Sequence, residues 1–154
     1  MSPCGDFSFL TEIAYTTQML KTPLFWNAFW VLVAIGVLHN IALKLHLYYD
    51  WLWFDNVLHF LGGAWIATLV IWFFFFSGLV TTRPIRLVSF VGIIAAGVLL
   101  IGTAWEIYEY AFDIAVGEGE RYVVDTLFDF LMAYIGAGIV AYLCYKKYHQ
   151  TLIA

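Results

Sequence analysis

Residues 53–80 read WFDNVLHFLGGAWIATLVIWFFFFSGLV. A helix needs about 20 mostly apolar residues to cross the hydrocarbon core of a bilayer. This run is long enough, and its ionisable groups, Asp55 and His59, stand near one end. A segment in lipid must satisfy its own backbone polar groups, and the run is too long for a barrel strand, so it reads as a transmembrane helix.

Working outward, three more segments read the same way, at about residues 22–43, 85–112 and 123–145. Thr22 and Pro23 suit the cap and first turn of the first span, and Lys44 marks its end. Thr81-Thr82-Arg83-Pro84 separates the second span from the third, and Lys146-Lys147 closes the fourth. In residues 1–21, Phe9, Leu10, Ile13, Thr17 and Leu20 recur at helical spacing, which suits a short interfacial helix or a frayed tail. The expected architecture is therefore an all-α integral membrane protein, a four-transmembrane-helix bundle over 22–145, with a tail at 146–154. No secretory signal is expected, and Cys4 and Cys144 read as unpaired thiols.

Composition agrees. The chain has 154 residues, 64% of them hydrophobic and 12% charged, against about 45–50% and 25% for soluble domains. Its mean hydropathy is +0.87. There is too little polar surface for a soluble enzyme. A net charge of −4 with 7 Lys and Arg disfavours nucleic-acid binding.

The basic residues set an expected orientation. With four spans, Lys21, Arg83, Arg86, Lys146 and Lys147 share one side, leaving Lys44 and Arg121 on the other. The positive-inside rule then puts both termini in the cytoplasm and suggests an inner-membrane protein. Tyr48, Tyr49, Trp51 and Tyr122 fall at the outer side and suit an interfacial aromatic belt.

Ionisable residues inside spans are costly, at roughly 2.5–3.5 kcal/mol each for the charged types at the helix centre. Three pairs nevertheless occur: Asp55 with His59, Glu106 with Glu109, and Asp125 with Asp129. Their i, i+4 and i, i+3 spacings put each pair on one helix face. At 1.5 Å per residue, His59, Glu106 and Asp129 lie roughly 6–9 Å inside the outer helix ends, at one common depth. Small residues continue the same faces: Gly62 and Gly63, Gly92 and Gly102, Ala133, Gly136 and Ala137. Such residues let helices approach in lipid, so the acidic faces point into the bundle, and the three pairs are expected to converge.

Five carboxylates together need neutralising, by a metal, by protons or by the scarce basic partners Arg121, His59 and His39. A carboxylate-rich set with one imidazole suits a divalent ion such as Mg, Mn, Zn or Fe. Asp55, His59, Glu106, Asp125 and Asp129 are the candidate ligands, and Glu109 is the candidate general base. Asp55 and Asp125 also suit helix N-termini simply as first-turn acids.

The blocks Asp55-x-x-x-His59-Phe60-x-x-Gly63, Glu106-x-x-Glu109-Tyr110 and Asp125-Thr126-x-x-Asp129 resemble the YjdF-like bacterial inner-membrane proteins. They are more distantly similar to VanZ-like proteins linked to teicoplanin resistance. The likeness spans roughly residues 53–140. Where that family usually has Lys after the first Asp, this chain has Asn56. The resemblance implies a shared site at the same six residues and supplies no reaction.

Two functions compete at this stage. A metal-dependent membrane enzyme would hydrolyse or transfer groups of a lipid or lipid-linked substrate at the outer leaflet. A non-catalytic packing, assembly or binding protein would use the cluster to fix its helices. A transporter fits less well, because the inner halves of the spans offer no ionisable groups for a pathway, although an oligomer could form a pore.

Overall fold

The computed structural model describes residues 22–51, 53–80, 84–114 and 120–153. The expected N-terminal helix within residues 1–21 lies outside them. Five helices follow in order: α1 (Pro23–Leu45), α2 (Leu47–Asp50), α3 (Trp53–Ile71) extended by a π turn (Trp72–Phe76), α4 (Leu87–Phe112) and α5 (Glu120–Leu152). Among the described residues there is no strand, only an isolated bridge between Ile85 and Ile153. Among the described residues, four helices are long and apolar enough to cross a membrane: Pro23–Leu45, Trp53–Phe76, Leu87–Phe112 and Tyr122–Gln150. The protein is an all-α, four-span membrane protein. Large apolar side chains such as Trp30, Val88 and Leu100 are exposed, as lipid-facing residues should be.

The ends of the spans follow from local chemistry. Thr22 takes the extended N-cap conformation and Pro23 the first helical position, where its missing N–H costs nothing. The second span stops at Phe76, earlier than residue 80. The Ser77 hydroxyl donates back to the Phe73 carbonyl, and Gly78 turns the chain at a φ of 74°. α5 runs past Lys146 and Lys147, beyond the expected end at 145, and is kinked at Tyr148. Its last residues meet the start of α4, where Ile85 N–H donates to the Leu152 carbonyl at 3.0 Å.

α3 is the centre of the bundle. Its inner face, including Ile66, Ala67 and Ile71, packs against Phe90, Ile94 and Val98 of α4 and Ala133 and Ala137 of α5. The closest approach is α3 on α5. A Cβ at Gly63 would collide with the Ala133 carbonyl, and one at Gly136 with the Phe60 carbonyl. Gly102 lies under the Phe130 ring, where a Cβ would come within 2.9 Å of a ring carbon. Gly62 and Gly92, expected on close-packed faces, have nothing within 4 Å of an added Cβ. Gly97, which is not part of the small-residue pattern, faces Val70 instead. Adjacent positions point about 100° apart on a helix, so Gly63 meets α5 and Gly62 does not.

Candidate metal centre

The three helices that carry the polar pairs meet around one imidazole. α3 carries Asp55 and His59 one turn apart. α4 enters antiparallel to it and brings Glu106 and Glu109 to the same level, and α5 returns with Asp129. His59 Nε2 lies 3.6 Å from Asp55 Oδ1, 3.7 Å from Glu109 Oε2 and 3.8 Å from Asp129 Oδ1. Its Nδ1 lies 3.9 Å from Glu106 Oε1. The whole group is buried: Asp129 is 3% exposed, Glu109 5%, Asp55 6%, Glu106 8% and His59 9%.

These separations are informative because they are too long. A hydrogen bond from a ring nitrogen to a carboxylate spans about 2.7–3.2 Å. His59 Nε2, Asp129 Oδ1 and Glu109 Oε1 are all buried without a hydrogen-bond partner. An unpaired buried polar atom costs about 1–3 kcal/mol, more if charged. Two donors that each bind one cation at about 2.0–2.3 Å, however, stand roughly 3–4.5 Å apart. Two triads come close to that condition among the described residues, Asp55 with His59 and Asp129, and His59 with Glu106 and Glu109; within each, the donor atoms lie within 4.8 Å of one another.

Beside the cluster, a cavity of about 10 Å³ is lined by Asp55, Glu106, Glu109, Asp125, Asp129, Tyr122 and Thr126. That is about the room needed by one water-sized sphere.

Glu106 is tied in differently from the rest. The Thr126 hydroxyl donates to its Oε2 at 2.9 Å, bridging α5 to α4. Asp125 is only half-buried and lines the cavity wall without coming among the carboxylates within 4.0 Å of His59. Of the six residues singled out from sequence, five therefore form the inner cluster and Asp125 stands at its rim. The side chain of Arg121 lies outside the described residues.

One neighbour of the cluster departs from the sequence expectation. Tyr48 does not join the aromatic belt; it is buried, packed with Ala42 and Leu58, while Tyr49 and Trp51 are exposed as a belt requires. Its hydroxyl lies 2.6 Å from His39 Nδ1. Burial pushes the Tyr48 pKa up, and the nearby Asp55 and Glu109 carboxylates push the same way, so it stays a neutral phenol. The short turn α2 after the left-handed His46 (φ 55°) is what folds Tyr48 inward. Sequence periodicity does not show this, because the inward turn depends on one non-glycine residue adopting a positive φ.

No curated protein and no solved structure matches the chain. A family does match, over residues 7–150, and so covers all four spans and all six residues of the cluster and its rim. The chain belongs to the family described as predicted membrane protein (DUF2238).

Proposed function

We propose that the protein binds a single divalent cation and uses it to act on a lipid or lipid-linked substrate, by metal-assisted hydrolysis or group transfer. The observation that carries the reading is the unsatisfied His59 Nε2 inside a ring of three carboxylate oxygens at 3.6–3.8 Å. Neutralising that much buried acid is what a cation does best. His59 is common to both triads, so the reading takes one ion rather than two.

In this reading Asp55, His59 and Asp129 hold the ion, with Mg, Mn, Zn and Fe all compatible with the donor set. Glu106 backs the imidazole at Nδ1, as carboxylates commonly do for metal-bound histidines, and Thr126 fixes Glu106 in turn. Glu109 lies 3.7 Å from His59 Nε2 and has its Oε1 without a hydrogen-bond partner, so its carboxylate could accept a proton from a water or substrate hydroxyl. Asp125 at the rim adds negative charge along the ion's route in. A bound cation supplies a Lewis acid for an ester or phosphoryl oxygen, or a water of lowered pKa.

The site lies at the helix ends that share a side with Lys44 and Asp113, opposite Arg86, Lys146 and Lys147. With both termini in the cytoplasm of an inner membrane, it faces outward at the level of lipid headgroups and carbonyls. The likeness of the three blocks to YjdF-like proteins belongs to this reading.

The test is elemental analysis of purified protein. One equivalent of a divalent metal, lost on Asp129→Asn, is the expected result. Metal-free protein that still does not take up Mg, Mn, Zn or Fe(II) would overturn the reading in favour of a packing cluster.

A further inference from the structure

His59 has a second neighbourhood. Besides the carboxylates around its ring, it borders a cavity of about 120 Å³ whose walls are nearly all apolar, among them Leu32, Gly62, Trp65, Ile101 and Trp105. This cavity and the acidic one beside the cluster differ in character and in depth. The acidic one is lined at the level of Asp55 and Glu109. The apolar one reaches residues such as Ile66, eleven positions further in than Asp55, and Ile101, eight further in than Glu109, which is roughly 12–17 Å at a helical rise.

An apolar cavity of this size does not hold water stably and takes hydrocarbon instead; one of about 150 Å³ is known to bind benzene. Around a four-span membrane protein the available hydrocarbon is lipid. Leu32, part of the cavity wall, is itself exposed on the lipid-facing side of α1. A membrane lipid has the same two-part layout, a polar ester or phosphate group at the carbonyl level and methylenes directly beneath it.

We propose that this cavity receives the first carbons of one acyl chain of a membrane phospholipid, placing the polar end of that chain at His59. The inference rests on the lipid-directed reading above and names the part of the substrate that the apolar walls recognise. Gly62 is the key position. It lines the cavity, and an added Cβ there meets nothing within 4 Å, so a larger side chain fills the cavity without touching the packed helix pair.

The experiment uses the full chain in vesicles of phosphatidylethanolamine and phosphatidylglycerol. The probe is a phosphatidylglycerol carrying a diazirine near the ester end of one acyl chain. After irradiation, labelled residues are mapped by mass spectrometry. Labelling of Ile101 and Trp105 above that of the fully lipid-facing Val88 and Leu100 is expected. In Gly62→Leu it should fall to the level of those outer residues, with cation content unchanged. Leu32→Trp, at the cavity edge, is the second variant in case the first does not fold. Wild-type labelling of the lining residues no higher than that of Val88 overturns the proposal, and so does undiminished labelling in a folded Gly62→Leu or Leu32→Trp protein. Cation content is read separately. Chain labelling without a cation therefore refutes the metal reading alone, and a cation without labelling refutes this one alone.

Discussion

Adding one methyl group at Gly63 should damage both the stability and the cation site, and adding it at Gly62 should damage neither. A Cβ at Gly63 would collide with the Ala133 carbonyl, a backbone atom that no rotamer change can move. Ordinary contact between such atoms is roughly 3.5 Å, so α3 and α5 must separate by on the order of 1 Å. Overpacking of this kind costs roughly 1–3 kcal/mol, and the backbone partner puts Gly63→Ala at the upper end. Gly62→Ala meets open space and gains helix propensity, roughly 0.5–1 kcal/mol. The two variants should thus differ by about 2–4 kcal/mol. At roughly 2–4 °C per kcal/mol for a chain of this length, that is a clear gap in melting temperature in detergent. The site responds because of register. His59 is one turn from Gly63 and Asp129 one turn from Ala133, so the separation opens the 3.8 Å gap between His59 Nε2 and Asp129 Oδ1. An ion held by His59 would then lose Asp129, and affinity should fall roughly 10–100-fold, the usual loss for a disturbed ligand shell. Calorimetric titration with Zn or Mn beside a thermal melt would measure both effects. If Gly63→Ala melts with Gly62→Ala and binds the cation equally well, the close helix pair and its link to the site are refuted.

Asp129→Asn should abolish stoichiometric cation binding, yet in chelator it should melt at or above wild type, because it removes one of several carboxylates crowded together in a buried site. Ala133→Leu should do the reverse in chelator, costing roughly 1–3 kcal/mol by forcing α3 and α5 apart. Cation affinity of the wild type should fall as pH is lowered, since carboxylates and imidazole must give up protons to bind, and titrations over a pH series would show it. For orientation, with native cysteines replaced, a single cysteine at Asp113 should react with an impermeant maleimide from outside the cell, and one at Lys147 only after permeabilisation.

Much of this protein is legible in its sequence because lipid simplifies the problem. A run such as 53–76 has one stable conformation in hydrocarbon, since each backbone group must bond within it. Helical spacing then dictates which residues of one helix share a face, which is why residue numbers alone pair Asp55 with His59 and Glu106 with Glu109. Equal depth in the bilayer adds that the pairs from different spans meet at one level.

What spacing within a helix cannot contain is its rotation about its own axis against its neighbours. That rotation puts Gly63 on α5 and leaves Gly62 beside an open cavity, and it sets Asp129 against His59 while leaving Asp125 at the rim. It also sets Glu109 nearest the Nε2 of the imidazole and Glu106 nearest its Nδ1. The burial of Tyr48 beside His39 depends on a positive φ at His46, a conformation available to few residues and chosen by tertiary contacts. The sequence by itself determined the four spans, the acidic faces and their depth, because those follow from short-range backbone bonding and solvation. Only the tertiary structure decided which atoms face one another across the bundle, because that depends on how closely two backbones can approach.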